Sequence, residues 1–457
     1  MKKNCFIVWV VIVLSAIQIV PIVAYADSHA PYFVPPARST STGQTIQFAV
    51  FSDPHYYDSA LGTTGEAFEA YLNSDRKMIR ESDAILNAAI GGMKQDNIQF
   101  ALVAGDLTKD GELSSHMKFA AYLKELEDSG IEVYVVPGNH DINNPHAVSY
   151  SGANTVPVPR VSPDEFVQIY GQFGFAQAIS RDPNSLSYLV EPVPGLCVLA
   201  MDACRYLENV DSPITGGRFS QETLSWILNV IAWAKASNKQ IIGLMHHGVV
   251  AHYSMQPLLF GQYLVDDWAA VSRLFANAGM RMVFTGHYHA QDVVKRTIRV
   301  GTTPSFMFDV ETGSLVTYPV PYRLITTDET LSLFNIESRL ITQIDYDTGG
   351  IPFPQYAQQY LEDGLLVIAQ TILVDSFGLD PAEAQAYAPD VIKAFQANYV
   401  GDENPDSDTL HTALSYLQMP DPTLKLIGIG IFSLWNDLSP ADNNLSINLI
   451  TGAASPR

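Results

Sequence analysis

Five short runs set metal-binding side chains directly after an apolar stretch: Asp53-Pro54-His55, Gly105-Asp106, Gly138-Asn139-His140-Asp141, His246-His247 and Gly286-His287-Tyr288-His289. Each alone reads as a turn or a cap. Together Asp53, Asp106, Asn139, His55, His246, His287 and His289 offer two carboxylates, one amide oxygen and four imidazoles. That is too many donors for one tetrahedral site, and it suits two adjacent five- or six-coordinate ions sharing a carboxylate. Two ions held about 3.5–4 Å apart acidify a bridging water and clamp phosphoryl oxygens during in-line attack. The expected chemistry is hydrolysis of a phosphate ester by metal-bound hydroxide.

Such ligands meet only if their strands end at one edge. Apolar, β-branched runs at residues 45–52, 100–104, 133–136, 241–245 and 282–284 each stop at one of the five motifs. Helical spacing at residues 75–95 and 117–127 separates the first three, giving the β-α-β-α-β order of a layered α/β sheet. Ligands of such sheets bind at the carboxyl ends of the strands. Gly105, Gly138 and Gly286 are expected to let the backbone turn sharply there. Further strands are expected at 315–320, 331–336 and 340–344, helices at 360–373, 381–398 and 409–417, and a long loop at 143–163. The tail from Ser439 reads as loosely structured. A composition shift at Gly349-Gly350-Ile351-Pro352 divides a catalytic domain, 45–350, from a helical C-terminal domain, 351–457.

The chain has 457 residues, 47% hydrophobic and 16% charged, enough apolar material for a large core. Its formal charge of −22 argues against a nucleic-acid polymer or an anionic membrane as the main partner. A local metal site is then what must bind a small phosphate-ester substrate. Lys2, Lys3, an apolar run and Ala24-Tyr25-Ala26 have the order of a secretory signal, residues 1–26, cleaved after Ala26. The product is expected to be secreted or periplasmic with no stable membrane span, and residues 27–44 form an irregular lead-in. Of the three cysteines, Cys5 leaves with the signal. Cys197 and Cys204, seven residues apart on one extended run, stand more than about 20 Å from each other and remain thiols.

The ordered set of motifs resembles the calcineurin-like metallophosphoesterases over about residues 45–345. The resemblance implies a four-layer α/β/β/α sandwich and two divalent transition-metal ions, Mn, Fe, Zn or Co. It also implies one metal on Asp53, His55, Asp106 and His289, and a second on Asp106, Asn139, His246 and His287, bridged by Asp106. His140 would face the scissile phosphate and assist the leaving oxygen, and Asp141 would orient neighbours. Lys109 stands where purple acid phosphatases carry a ligand tyrosine, and the Gly-Asp-x-x-Asp-Arg-Gly variant of the protein phosphatases is absent. The run Gly105 to Glu112 looks like the branch of cyclic-nucleotide and glycerophosphodiester phosphodiesterases, whose exported bacterial members carry a helical C-terminal domain. Phosphodiester hydrolysis is the first expectation. The alternatives are a phosphomonoesterase or nucleotidase on the same site, or a non-catalytic secreted metal-binding module.

Other residues have two readings. His247 is a second phosphate contact or a strand-end side chain. His116, His146 and His252 line the cleft or sit in loops, and Lys109 and Arg205 meet phosphate or are surface charges. Tyr288 packs. Phe306, Phe308, Tyr318 and Tyr322 form a base-stacking wall or belong to the core.

Overall fold

The computed structural model describes residues 45–300 and 303–457; residues 1–44, which hold the expected signal and lead-in, lie outside it. Two seven-stranded sheets form the body. In the first, Gln47–Phe51, Phe100–Val103 and Glu132–Val135 run parallel, and Pro321–Thr327, Leu333–Leu340, Asn444–Asn448 and Ala454–Pro456 extend it antiparallel. In the second, Leu196–Met201, Gln240–Met245, Met282–Thr285 and Thr303–Glu311 run parallel, with Asp292–Val300 antiparallel at one edge and Tyr188–Val193 then Ser180–Arg181 antiparallel toward the other.

The central strands are buried on both faces, as their unbroken apolar runs demand. The sheets meet through one core, in which the rings of Phe48 and Phe284 stand 5.8 Å apart edge to face. Ser82–Gln95 and Leu113–Asp128 cover the first sheet, Gln221–Ala236 and Trp268–Ala278 the second. This is the four-layer α/β/β/α order.

Four helices, Phe353–Asp375, Pro381–Val400, Ser407–Gln418 and Pro422–Leu434, pack around a second core that takes in Tyr253, Tyr288 and Ala290. They begin near the expected boundary, and all described residues fall within one compact unit. The tail corrects the expectation of looseness. Leu445 and Ile447 alternate inward and pair with Ile336 and Phe334, so the chain returns to the first sheet.

Two expected strands are absent. Residues 315–320 are apolar and buried but form turns, because their backbone serves neighbours: Leu315 N donates to Ser52 O at 2.9 Å, and Val316 O accepts from Met78 N at 2.8 Å. The stretch after Leu340 is likewise irregular. The expected loop at 143–163 contains the hairpin Val148–Ser151 with Asn154–Pro157, whose Tyr150 closes a small cluster with Tyr57 and Phe68. Cys197 and Cys204 are free thiols.

Candidate metal centre

Both sheets end their parallel strands at one edge, and every candidate ligand follows one of those ends. Asp53 and His55 follow Gln47–Phe51, Asp106 follows Phe100–Val103, Asn139 follows Glu132–Val135, His246 follows Gln240–Met245, and His287 and His289 follow Met282–Thr285. Two triads result, Asp53 with His55 and His289, and Asp106 with His246 and His287; ligand atoms within each lie within 4.8 Å of one another. On one side His289 Nε2 stands 3.4 Å from Asp53 Oδ1 and 3.3 Å from His55 Nε2. On the other, His246 Nε2 stands 3.1 Å from Asn139 Oδ1 and 3.4 Å from Asp106 Oδ2.

Asp106 joins the two. Its Oδ1 accepts from His140 N at 2.8 Å, which leaves Oδ2 facing inward, 3.7 Å from His55 Nε2 and 3.4 Å from His246 Nε2. One oxygen between both triads is the position of a bridge.

The backbone is bent to achieve this. Asp53, His55, Asp106, His287 and His289 all have φ between 38° and 77°, in the left-handed region. That region costs a non-glycine residue roughly 1–2 kcal/mol, and such strain concentrates at functional sites. Gly105, at φ 90°, is the one motif glycine that uses its freedom to turn. Gly138 and Gly286 correct the expectation: they serve close approach. A Cβ on Gly138 would fall 2.1 Å from Asp106 Oδ1, and one on Gly286 1.8 Å from Ser52 Oγ.

The donor set fits cations. His246 Nδ1 donates to Ala104 O at 2.9 Å, which turns its Nε2 lone pair toward Asn139 and Asp106, themselves acceptors. Asp53 Oδ1 and His287 Nε2 are buried with no hydrogen-bond partner. Acceptors that converge without donors are stabilised by positive charge. Burial, ahead of all other causes, pulls His55 and His287 well below the ordinary histidine value and His289 to about 4, so these imidazoles are neutral and able to ligate. Burial opposes protonation of His246 as well, but Asp106 overrides it and lifts His246 to about 9.

His140 stands on the open side, its side chain 23% exposed and its Nε2 4.0 Å from Asp106 Oδ2. Its Nδ1 faces two acceptors, Lys109 O at 2.7 Å and Asp110 Oδ1 at 3.0 Å, so Nδ1 carries a proton. Burial works against the charged ring, yet Asp106 and then Asp110 raise it above the ordinary value. Asp110, which the sequence reading passed over, was signalled by its place four residues after Asp106 in the motif run. Asp141 holds the loops together, accepting from Gly138 N, Leu107 N and Thr108 N at 2.7–3.1 Å.

The remaining candidates divide. Lys109 is neither a phosphate contact nor a surface charge: it is buried, bonded to Asp110 and 4.2 Å from the Tyr71 ring centroid. Arg205 pairs with Glu208. His247 is a buried strand-end side chain donating to Thr215 O at 2.9 Å. His116 is core, bridging Tyr170 and Asp141 O, and His146 is exposed. His252 is buried, with Nδ1 3.0 Å from Asp292 Oδ1. Tyr288 packs against the helices and bonds Tyr253. Phe306, Phe308 and Tyr322 are buried and Tyr318 is partly so, all four packing in the core, so no wall forms there. The aromatic beside the centre is Tyr263, with its ring 4.6 Å from His287.

The calcineurin-like phosphoesterase family matches residues 46–291, more than half of the chain. The chain belongs to that family, whose members are metal-dependent phosphoester hydrolases. Among solved structures it is similar to a dimetal phosphatase from Danio rerio, at 14% identity and TM-score 0.45 over 65% of this chain and 97% of that one. It is also similar to a phosphopantetheinyl hydrolase from Mycobacterium tuberculosis, at 13% identity and TM-score 0.27 over 60% of this chain and 91% of that one. No curated protein matches it.

Proposed function

We propose that this is an exported phosphodiesterase acting on small substrates, cyclic nucleotides among them. The observation that carries the hydrolytic reading is Asp106 Oδ2, shared between two triads of buried acceptors, with His140 at their open side. Asp53, His55, Asp106 and His289 would hold one divalent ion, and Asp106, Asn139, His246 and His287 the other. When bound, the pair supplies Lewis acidity to a phosphoryl oxygen and a deprotonated water as nucleophile. His140 keeps its Nδ1 proton on Lys109 O and Asp110 and presents Nε2 inward, where a second proton, carried on Nε2 of the charged ring, would pass to the departing alkoxide and leave the ring neutral. The preference for diesters is supported by the run Gly105 to Glu112. Export is supported by the N-terminal signal pattern, and a mature N-terminus at Asp27 is expected by mass spectrometry of the exported chain.

The test is a panel of cyclic nucleotides, glycerophosphodiesters, nucleotides and simple monoesters assayed with Mn, Fe, Zn and Co. Close to two ions per chain and a higher kcat/KM for diesters are expected. Preference for monoesters moves the substrate to the phosphatase class, and a folded chain that takes up no metal removes the site.

A further inference from the structure

Three carboxylates meet on one face at the end of the second sheet. Asp309 and Glu311, two residues apart on Thr303–Glu311, point to the same side, and Asp292 is the direct partner of Glu311 across the antiparallel pair. Asp309 and Glu311 are 0% and 1% exposed, and Asp292 is 6% exposed. Like charges placed opposite each other repel, and burial removes the water that would otherwise solvate them.

The group between them is His252. It is buried, its Nδ1 stands 3.0 Å from Asp292 Oδ1, and its Nε2 stands 3.5 Å from both Asp309 Oδ1 and Glu311 Oε2. A neutral imidazole has one bare lone pair, and here either nitrogen would turn it on a carboxylate. Two protons suit the position, one on each side of the ring. Burial opposes that charge, but Asp292, then Glu311 and Asp309, outweigh it and hold His252 well above the ordinary histidine value.

The carboxylates around the ring reach the metal centre through the backbone. Asp309 Oδ2 accepts from Val249 N at 2.6 Å and Val250 N at 2.9 Å, just past His246. Its Oδ1 accepts from Thr285 Oγ1 at 2.6 Å, two residues before His287. Glu311 Oε1 accepts from Ala290 N at 3.3 Å, next to His289. The neighbour of His252 grips the same loop: Tyr253 Oη lies 2.6 Å from the hydroxyl of Tyr288, between His287 and His289. The turns that carry three ligands from two strands are thus fastened to one carboxylate set, with one imidazole at its middle. None of His252, Asp292, Asp309 and Glu311 belongs to the ligand motifs.

We propose that His252 is a positioning residue of the metal centre: as a charged ring between Asp292, Asp309 and Glu311, it keeps those carboxylates in place to hold the turns that carry His246, His287 and His289. This rests on the dimetal reading above. The test uses the full chain, with Mn for affinity and turnover and Co for its absorption spectrum. His252→Gln is expected to weaken Mn binding by calorimetry about tenfold, the low end of the cost of replacing partners that orient metal ligands, and to lower kcat for bis(p-nitrophenyl) phosphate similarly. The visible bands of bound Co should shift, because the ligands move. His252→Gln combined with Asp292→Asn should recover part of the affinity, since the excess negative charge is removed, and a double variant no better than the single one overturns the role of charge. A His252→Gln protein that melts lower yet keeps wild-type Mn affinity, Co spectrum and kcat makes the ring a packing residue and overturns the proposal. If His252→Gln does not fold, nitrogen NMR of the histidine rings in the wild-type chain loaded with Zn decides, with the His252 signal assigned by its shift in Asp292→Asn. At about pH 8, where an ordinary histidine is neutral, His252 should carry protons on both nitrogens, and a ring with one proton overturns the proposal. A wild-type chain that takes up no metal fails the dimetal reading itself, and this proposal with it, which metal analysis reveals before any variant is made.

Discussion

Gly286→Ala tests whether the ligands are held by backbone contact. Gly286 has no positive φ, so alanine adds no backbone strain; the whole effect comes from one methyl group. That methyl would stand 1.8 Å from Ser52 Oγ, 2.8 Å from Ser52 Cβ and 2.5 Å from Asp53 Oδ2. Ser52 Oγ can rotate away. Asp53 Oδ2 cannot leave freely, since it accepts from His287 N at 2.9 Å. Reaching a tolerable contact requires a shift of about 0.5 Å in the Asp53 carboxylate. Catalytic groups must be held to within about 0.5 Å, and a displacement of 1 Å costs about 10²-fold. Gly286→Ala should therefore lower metal affinity and kcat by about tenfold, and overpacking should cost roughly 1–3 kcal/mol of stability. Isothermal titration with Mn, turnover of bis(p-nitrophenyl) phosphate and thermal melting read the three effects. Gly91→Ala is the control, because its Cβ meets nothing within 4 Å. A Gly286→Ala protein with wild-type metal affinity and kcat, whatever its melting temperature, would refute the argument.

Asp106→Asn should abolish turnover and lower metal content, since its Oδ2 serves both triads; retained activity removes it as the bridge. His140→Ala should slow turnover about 10²–10⁴-fold with metal content near normal, and loss of metal would make it a ligand. Burial, then the charge of Asp292, pushes Asp437 up to about 6, Glu403 to about 8 and Asp442 to about 9. Folded values above unfolded ones give stability that is fully present below about pH 4 and is lost as pH rises from there through about 9. Melting temperature should fall across that window, Asp437→Asn should flatten its lower part, and a rising melting temperature would contradict the assignment. Chelation should lower the melting temperature by roughly 5 °C if each ion is present at about a hundred times its dissociation constant, and Mn should restore it. An unchanged melt with metal demonstrably removed would contradict the idea that the ions support the strained loops.

The site was more legible than the fold around it, and for a physical reason. A ligand must be a particular residue, and a parallel strand buried on both faces must be an unbroken apolar run, so Asp53 after Gln47–Phe51 and His246 after Gln240–Met245 are local signals. The antiparallel edge strands carry no such mark. Asp292–Val300 contains Lys295, Arg296 and Arg299, which sit on a half-exposed edge and disguise a nine-residue strand. The return of Asn444–Asn448 to the first sheet depends on a partner, Leu333–Leu340, about a hundred residues earlier, and no local pattern specifies that pairing. Lys109 was misread for the opposite reason: lysine is a surface residue by default, and only the tertiary structure brings Tyr57, Tyr71 and Tyr150 around it. Arg76 carried no local signal either, since its neighbours Gly364 and Tyr399 lie some three hundred residues away.

A pair of ions on the buried ligands would resolve the apparent conflict between an acidic chain and an anionic substrate. With a formal charge of −22, the surface should repel phosphate esters at long range. Salt screens that repulsion over about 8 Å at physiological ionic strength, whereas charges that are buried or nearly so are screened far less. The ligands are buried, Asp53 at 0% and Asp106 and His246 at 1% exposure, so charge held on them would act within the site, where the surface charge is weak. Net charge and affinity are therefore set by different residues. The acidic surface governs how quickly an anionic substrate arrives, so added salt should speed encounter, while ions on the metal ligands would govern how tightly the substrate is held once inside.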